Sequence, residues 1–241
     1  MSQEENWNDR TLRLLGEQGV EKLSNASVLV VGVGGVGGYA AEMLARSGVG
    51  HLSIIDADCV AESNINRQII ATHSSVGMPK VLLFTERFHD INPQLHIESR
   101  MEFLSETNIG QIFKGRNFDF VVDAIDTVAP KVALITHCLT NRIPIISSMG
   151  AGGRIDPTKT GYFDLWETRE DGLARAVRQR LKAQGLRLPL KVVASTEKPM
   201  SHSLIHLEAV NKRSSFGTLA TIPAIFGIYL ANYVIRKITG E

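Results

Sequence analysis

Short apolar runs alternate with longer amphipathic segments along most of the chain. Residues 28–31, 51–55, 118–126, 143–148 and 191–196 are runs of aliphatic and β-branched residues, and 95–101 and 204–209 show strand-like alternation. All of these read as strands. Residues 10–23, 39–46, 79–89, 109–113, 130–140 and 168–182 carry helical spacing instead, the first of them broken at Gly16 and Gly19. Repeated strand-then-helix order predicts an α/β fold: a Rossmann-like, mostly parallel sheet flanked by helices, whose strands are covered on both faces and so read as near-continuous apolar runs. The stretch 216–235 is apolar for close to the ~18 residues a membrane span requires. Gly217, Thr218, Thr221, Pro223, Gly227 and Asn232 within it favour a helix buried in the core or at a dimer interface, with no membrane contact.

Size and charge narrow this picture. A chain of 241 residues with 44% hydrophobic residues can bury a full core as one unit. Within that unit, 1–165 is expected to form a nucleotide-binding core, and 166–241 to add a basic helix, short strands and the apolar helix. Residues 1–8 are polar and expected to fray. With 26 basic against 25 acidic residues, any nucleic-acid site has to be a local patch. Cys59 and Cys138 lie far apart without metal-binding spacing, and no apolar leader precedes the first helix, which points to a reducing cytoplasm.

The chemistry begins directly after the first strand. Gly32, Gly34 and Gly37 keep a G-x-G-x-x-G spacing, with Gly35 inside it, ahead of a helical segment. Glycines there allow a tight turn and let a phosphate reach main-chain N–H groups at a helix N-terminus. Asp56 ends the second strand about 20 residues on, where a carboxylate can accept hydrogen bonds from ribose hydroxyls. Asp58, Asn64 and Arg67 follow, and then Lys80 opens a helix behind Pro79. A lysine at a helix start works against the dipole unless an anion is bound, which favours phosphate for Lys80. Arg67 can grip phosphate oxygens as a planar fork; Asn64 can hydrogen-bond phosphate or metal-bound water, or simply cap a loop. Hydride transfer needs none of this set. Phosphoryl and nucleotidyl transfer do, because cations must neutralise charge building on the phosphates. Asp123 and Asp126 end another strand at the edge where ligands of open α/β sheets sit, so Asp126 is the candidate Mg²⁺ ligand, and Asp123 makes a structural hydrogen bond or supports the metal through water.

The glycine loop, D-x-D-x-V-x-x-S-N-x-N-R-Q from Asp56, G-x-P-K ending at Lys80 and D-A-I-D ending at Asp126 together resemble the adenylating enzymes of the ubiquitin-activating superfamily. These activate a carboxylate with ATP as an acyl-adenylate. Residues 126–131, 150–157 and 195–197 are most similar to its branch of tRNA threonylcarbamoyladenosine dehydratases. The resemblance implies ATP and Mg²⁺ as cofactors, tRNA as substrate and a homodimer. Sulfur-relay or desulfurase-associated proteins are possible further partners. It also implies that an arginine of the first helix, Arg10 or its rival Arg13, reaches the phosphates, often those of the neighbouring subunit, and that Asp126 is needed for adenylation. Arg154 would border the acyl-acceptor side, unless it is a surface arginine after a turn.

The dense basic cluster at Arg175, Arg178, Arg180 and Lys182, with Arg187 and Lys191, fits a phosphate-contacting face for tRNA or an ordinary solvated helix. Neither cysteine is placed as a nucleophile, and the two C-x-x-C pairs of zinc-holding relatives are missing. The acyl-adenylate would therefore be captured by a group already inside the substrate, closing a ring beside the anticodon with loss of water. Three rivals remain: an adenylyltransferase for the C-terminal Gly-Gly of a sulfur-carrier protein, a nicotinamide-dependent dehydrogenase, and a non-catalytic scaffold.

Overall fold

A computed structural model describes residues 6–209 and 212–241, with backbone alone for 206–209 and 212–215; of the polar N-terminal segment, residues 1–5 lie outside the described residues. Strands β1 (Ser27–Val31), β2 (His51–Ile55), β3 (His96–Arg100), β4 (Phe120–Asp123), β5 (Ile145–Ser148), β6 (Thr160–Asp164) and β7 (Lys191–Ser195) form one sheet in the order β3-β2-β1-β4-β5-β7-β6. All neighbours are parallel except β6, which runs against β7. Strand order reverses between β1 and β4, and the crevice outside their carboxyl ends is where such sheets bind ligands. A hairpin of β8 (Leu204–Ala209) and β9 (Lys212–Phe216) stands apart.

Alternation along the strands sends side chains into two cores, which is why both faces read as apolar. Val28, Val30, Leu52, Ile54, Val122 and Val193 pack with α2 (Gly37–Arg46), α3 (Lys80–Ile91) and α7 (Thr221–Thr239). Leu29, Val31, Val121 and Val192 pack on the other face with α4 (Ile109–Phe113), α5 (Val128–Thr140) and α6 (Gly172–Ala183). Each large side chain fully buried this way contributes about 1.5–3 kcal/mol.

Helix α7 lies against α2 so closely that a Cβ on Gly227 would stand 2.4 Å from the Val36 carbonyl oxygen. This apolar helix is therefore core, and among the described residues no helix is long and apolar enough to cross a membrane. Its last turn meets α1 (Asp9–Asn25), where Lys22 Nζ donates to the Thr239 carbonyl at 2.8 Å.

Three expectations change. Only Gly16 breaks the regular helix of α1, with φ of 70°; Gly19 stays helical and is buried against Leu15 and Thr239, a packing glycine that spacing cannot tell from a breaker. Strand β6 lies at an edge, and its polar and aromatic residues hide it from a search for apolar runs. And the division at 165/166 has no counterpart in the sheet, because β7 lies beyond it yet sits between β5 and β6.

The end of β4 is fastened by charge. Asp123 accepts Lys131 Nζ at 2.7 Å and Ser147 Oγ at 2.6 Å on one oxygen, and the Ile125 N–H at 3.1 Å on the other. Lys131 also reaches Ser147 at 3.0 Å, and the Asp123 and Lys131 side chains are both fully buried. Removing one partner of such a pair leaves an uncompensated charge, so Lys131→Met should destabilise by about 3–5 kcal/mol. The Asp123→Leu/Lys131→Met double variant should be much closer to wild type than that single variant; urea melts of the set would measure both.

Glu42, on α2, ties that helix to α3 by accepting Arg87 Nε at 2.7 Å and Nη2 at 2.9 Å, with Arg46 Nε at 2.7 Å. Burial alone raises its pKa, but the two guanidiniums outweigh burial and hold it below the ordinary value. A carboxylate with a depressed folded-state pKa contributes stability that is complete above its unfolded pKa and lost as pH falls through the folded one. Glu42→Gln should be less stable than wild type near neutrality, with the gap closing below pH about 4, as denaturant melts across that range would register.

Candidate active site

The glycine loop is built where nothing but backbone fits. Gly32 turns at φ of 85°, and a Cβ on Gly37 would stand 1.7 Å from the Gly32 carbonyl oxygen and 2.9 Å from the Ala124 Cβ. Gly34 and Gly35 are less constrained, facing Gln68 and the Pro223 and Arg67 side chains at ordinary contact distance. No side chain caps α2; the Gly38 N–H is taken by the Gly34 carbonyl at 3.0 Å, and the positive end of the helix dipole favours an anion here.

Asp56 clasps this loop. One carboxylate oxygen accepts the Val33 N–H at 2.8 Å and the other the Asp58 N–H at 2.9 Å. Burial raises its pKa above the usual carboxylate range, and nearby Lys80 only partly counters this. Asp56 thus orders the loop, a task the ribose assignment alone does not anticipate.

Lys80 and Arg67 flank the clasp. Lys80, only 3% exposed, forms the first residue of α3 and donates from Nζ to Asp58 Oδ2 at 2.8 Å; the Asp58 side chain itself is largely exposed. The buried cation is thus neutralised by a carboxylate that water reaches. Arg67 lies along Gly35 and donates Nη1 to the Ser63 carbonyl at 2.7 Å and to Asn66 Oδ1 at 2.9 Å. Asn64 turns its side-chain oxygen to the Ala61 N–H at 3.1 Å, the capping use. Asp126 is exposed in the turn between β4 and α5, whose course Asp123 fixes through Ile125. A single oxygen-donor carboxylate at this edge suits Mg²⁺, which takes one or two protein carboxylates and completes its shell with phosphate and water.

Other candidates separate from this group. Arg10 is exposed in the first turn of α1, on the N-terminal side of the Gly16 kink, while the part of α1 beyond the kink packs on the last turn of α7. Arg154 is neither a surface residue nor a substrate clamp: it is 3% exposed, and it donates to the carbonyls of Gly150, Gly152, Glu170 and Glu197 and to Asp171. Burial lowers its pKa against the opposing pull of Asp171 and Glu197. Arg178 likewise turns inward, to Thr168 and the Leu165 carbonyl. Arg175, Arg180 and Lys182 are exposed on α6, and Arg187 lies over the Trp166 ring at 5.7 Å.

Lys131 and Gln68 fall inside the motifs above, but the sequence alone assigns neither a role. Lys131 occupies a helix that reads as simple packing, and Gln68 carries a buried side-chain oxygen without a hydrogen-bond partner among the described residues, beside Gly34. Cys138 is fully buried, and burial pushes its thiol pKa far up, which leaves it inert; Cys59 is exposed.

Comparison with known proteins agrees with this geometry over the full chain. The tRNA threonylcarbamoyladenosine dehydratase of Bacillus subtilis (strain 168) is 38% identical over 232 residues, 93% of this chain and 91% of that one. The enzyme of the same name from Escherichia coli (strain K12) is 36% identical across 98% and 95% of the two chains. A solved structure of E. coli tRNA N6-threonylcarbamoyladenosine dehydratase in complex with ATP superposes with a TM-score of 0.88 at 36% identity, covering 97% of this chain and 93% of that one. By contrast, the adenylyltransferase and sulfurtransferase MOCS3 of Drosophila willistoni is 37% identical over only 61% of this chain and 31% of its own length. A model of the ThiF family matches residues 8–241, and the chain belongs to that family.

Proposed function

We propose that this chain uses ATP to dehydrate threonylcarbamoyladenosine in tRNA to its cyclic form, beside the anticodon. The observation that carries the reading is the clasped glycine loop, with buried Lys80 and with Arg67 beside it, on a chain similar to such dehydratases along its whole length. A carboxylate oxygen of the threonine moiety attacks the α-phosphorus, and pyrophosphate leaves. The carbamoyl group then closes on the activated carbonyl, and AMP departs carrying that carboxylate oxygen, so the base has lost the elements of water.

The phosphates lie over the glycine loop and the N-terminus of α2. Lys80 and Arg67 take up charge as pyrophosphate forms, Lys80 shifting from Asp58 toward the phosphates. Asp126 would hold Mg²⁺, which neutralises phosphate charge when bound, and Asp56 reaches the ribose while bracing the loop. Arg10 would take the phosphate role as a donation from a second copy, in a homodimer. The exposed Arg175, Arg180 and Lys182 would meet tRNA phosphates. The reaction would run in the cytoplasm. Sulfur-relay or desulfurase-associated partners would act outside this step.

The sulfur-carrier alternative fits less well, because MOCS3 matches only part of the chain and this step needs no protein thiolate. Ring closure within the substrate gains from proximity what an enzyme nucleophile would otherwise supply.

Incubating threonylcarbamoylated tRNA with the protein, ATP and Mg²⁺, then analysing nucleosides by mass spectrometry, should show loss of one water with AMP and pyrophosphate released. An unchanged nucleoside mass in a folded, ATP-binding sample would reject the tRNA substrate. Asp126→Ala should lower turnover at least about 100-fold with the fold intact by circular dichroism, and Lys80→Met by about 100–1,000-fold in kcat. On the basic helix, the triple variant Arg175→Ala/Arg180→Ala/Lys182→Ala should raise KM for tRNA by about tenfold or more. It should also flatten the salt dependence by roughly 0.7–0.9 log units for each phosphate the helix no longer neutralises.

A further inference from the structure

Asp171 does two things with one carboxylate. Its Oδ1 caps α6 by accepting the Ala174 N–H at 2.8 Å, and its Oδ2 accepts the Gly150 N–H at 2.9 Å and Arg154 Nη2 at 3.4 Å. The basic helix is thereby pinned to the loop that leaves the carboxyl end of β5. Arg154 completes the joint: its guanidinium donates to carbonyls of that loop, of Glu170 and of Glu197, which belong to three separate stretches of chain. Glu197 answers in kind, its carboxylate accepting the N–H groups of Ile155 and Asp156 at 3.1 and 3.0 Å.

Two features set this apart from ordinary packing. Glu170, a non-glycine residue at φ of 50°, occupies a left-handed conformation, and its carbonyl is one that Arg154 holds at 2.9 Å. Such a conformation persists where the surroundings over-determine it. The loop then continues toward the site: the Gly153 N–H donates to the Gly217 carbonyl at 2.9 Å, and the next carbonyl, of Thr218, accepts Asn66 Nδ2 at 3.0 Å, one residue before Arg67. Contacts therefore run without a gap from the cap of α6 to the phosphate-side arginine. Among the described residues, Arg154 and Asp171 share no hydrogen bond or ion pair with Asp56, Asp58 or Lys80, the groups on the β2 and α3 side.

We propose that the buried Arg154–Asp171 pair is the joint that keeps the basic helix in register with the catalytic edge, making both positioning residues for the RNA substrate and not for ATP. This rests on the reading that the exposed face of α6 meets RNA. RNA held on α6 reaches the α-phosphorus with its carboxylate only if helix and edge stay fixed relative to each other. A misplacement of about 1 Å is enough to lower a rate about 100-fold. A lysine at 154 keeps the charge but cannot serve several acceptors in a plane.

The test uses the intact chain with Arg154→Lys and Asp171→Asn, the latter keeping a side-chain oxygen for the cap. With threonylcarbamoylated tRNA and ATP, both variants should lose about 30-fold or more in kcat. KM for tRNA should stay within about threefold and the Kd for ATP within about twofold, since neither residue binds either ligand. Parallel loss of ATP affinity would reduce the pair to a general structural role, and an unchanged kcat would remove it from the reaction; either result overturns the proposal. If Arg154→Lys does not fold, Asp171→Asn carries the same comparison alone. The triple variant Arg175→Ala/Arg180→Ala/Lys182→Ala separates the premise from the proposal. It should raise KM for tRNA while kcat is largely kept, and a KM left unchanged would mean that α6 does not meet RNA and the joint has no substrate to register.

Discussion

The buried charge cluster of Asp123, Lys131 and Ser147 sits at the one point the whole site depends on, the carboxyl end of β4 where strand order reverses. β1 and β4 are neighbours, and the loops leaving them must part to make room for a ligand while their strands stay in contact. The glycine loop solves the first half by carrying no side chain where Gly37 meets Gly32 and Ala124. Asp123 solves the second by binding its own turn, α5 and β5 through one carboxylate. A buried ion pair is weak as a source of net stability, because desolvation consumes most of the Coulombic gain. What it supplies here is direction: the turn leaving Asp123 can run only one way, and that turn carries Asp126.

The same economy of placement recurs around the loop. Asp56 is buried enough that its pKa rises, yet it accepts two backbone N–H groups, so its position is set by hydrogen bonds and not by a neighbouring cation. Lys80 is buried at a helix start, against the dipole, and its charge is satisfied by an exposed aspartate. An exposed partner is easily left, since its carboxylate regains water. In the proposed reaction a phosphate would therefore take over Lys80 without stranding a buried charge, which a fully buried pair such as Lys131–Asp123 would not allow.

The geometry of the glycine loop and its neighbours was largely legible because its constraints are local. A glycine that must admit a carbonyl, a carboxylate at a strand end and a lysine opening a helix each carry their reason within a few residues of sequence. The Asp123 assignment as a structural hydrogen-bonder could be made the same way. What was not legible depends on residues meeting from far apart. Arg154 resembles any arginine after a glycine turn until Glu170, Asp171 and Glu197 fold around it. Gly19 looks like Gly16 until Thr239 packs on it. Arg178 shares its helical segment with Arg175 and Arg180 but turns inward to Thr168, a distinction set by which face of α6 meets the preceding loop.

These misreadings share a cause that bears on how such sites are built. The chemistry of charge transfer to phosphate tolerates little variation in which groups are used, so nucleotide-side residues come as recognisable types at short spacing. Presenting a large substrate to that chemistry constrains distances between elements and not residue types, so any buried donor with enough reach can serve. Arg154 has that reach because a guanidinium offers five N–H groups in one plane, and here it spends them on main-chain carbonyls. Backbone acceptors leave no trace in the sequence, since every residue provides one. A joint made mostly of carbonyls is therefore invisible to motif reading, and only the position of a buried arginine among several chain segments reveals it.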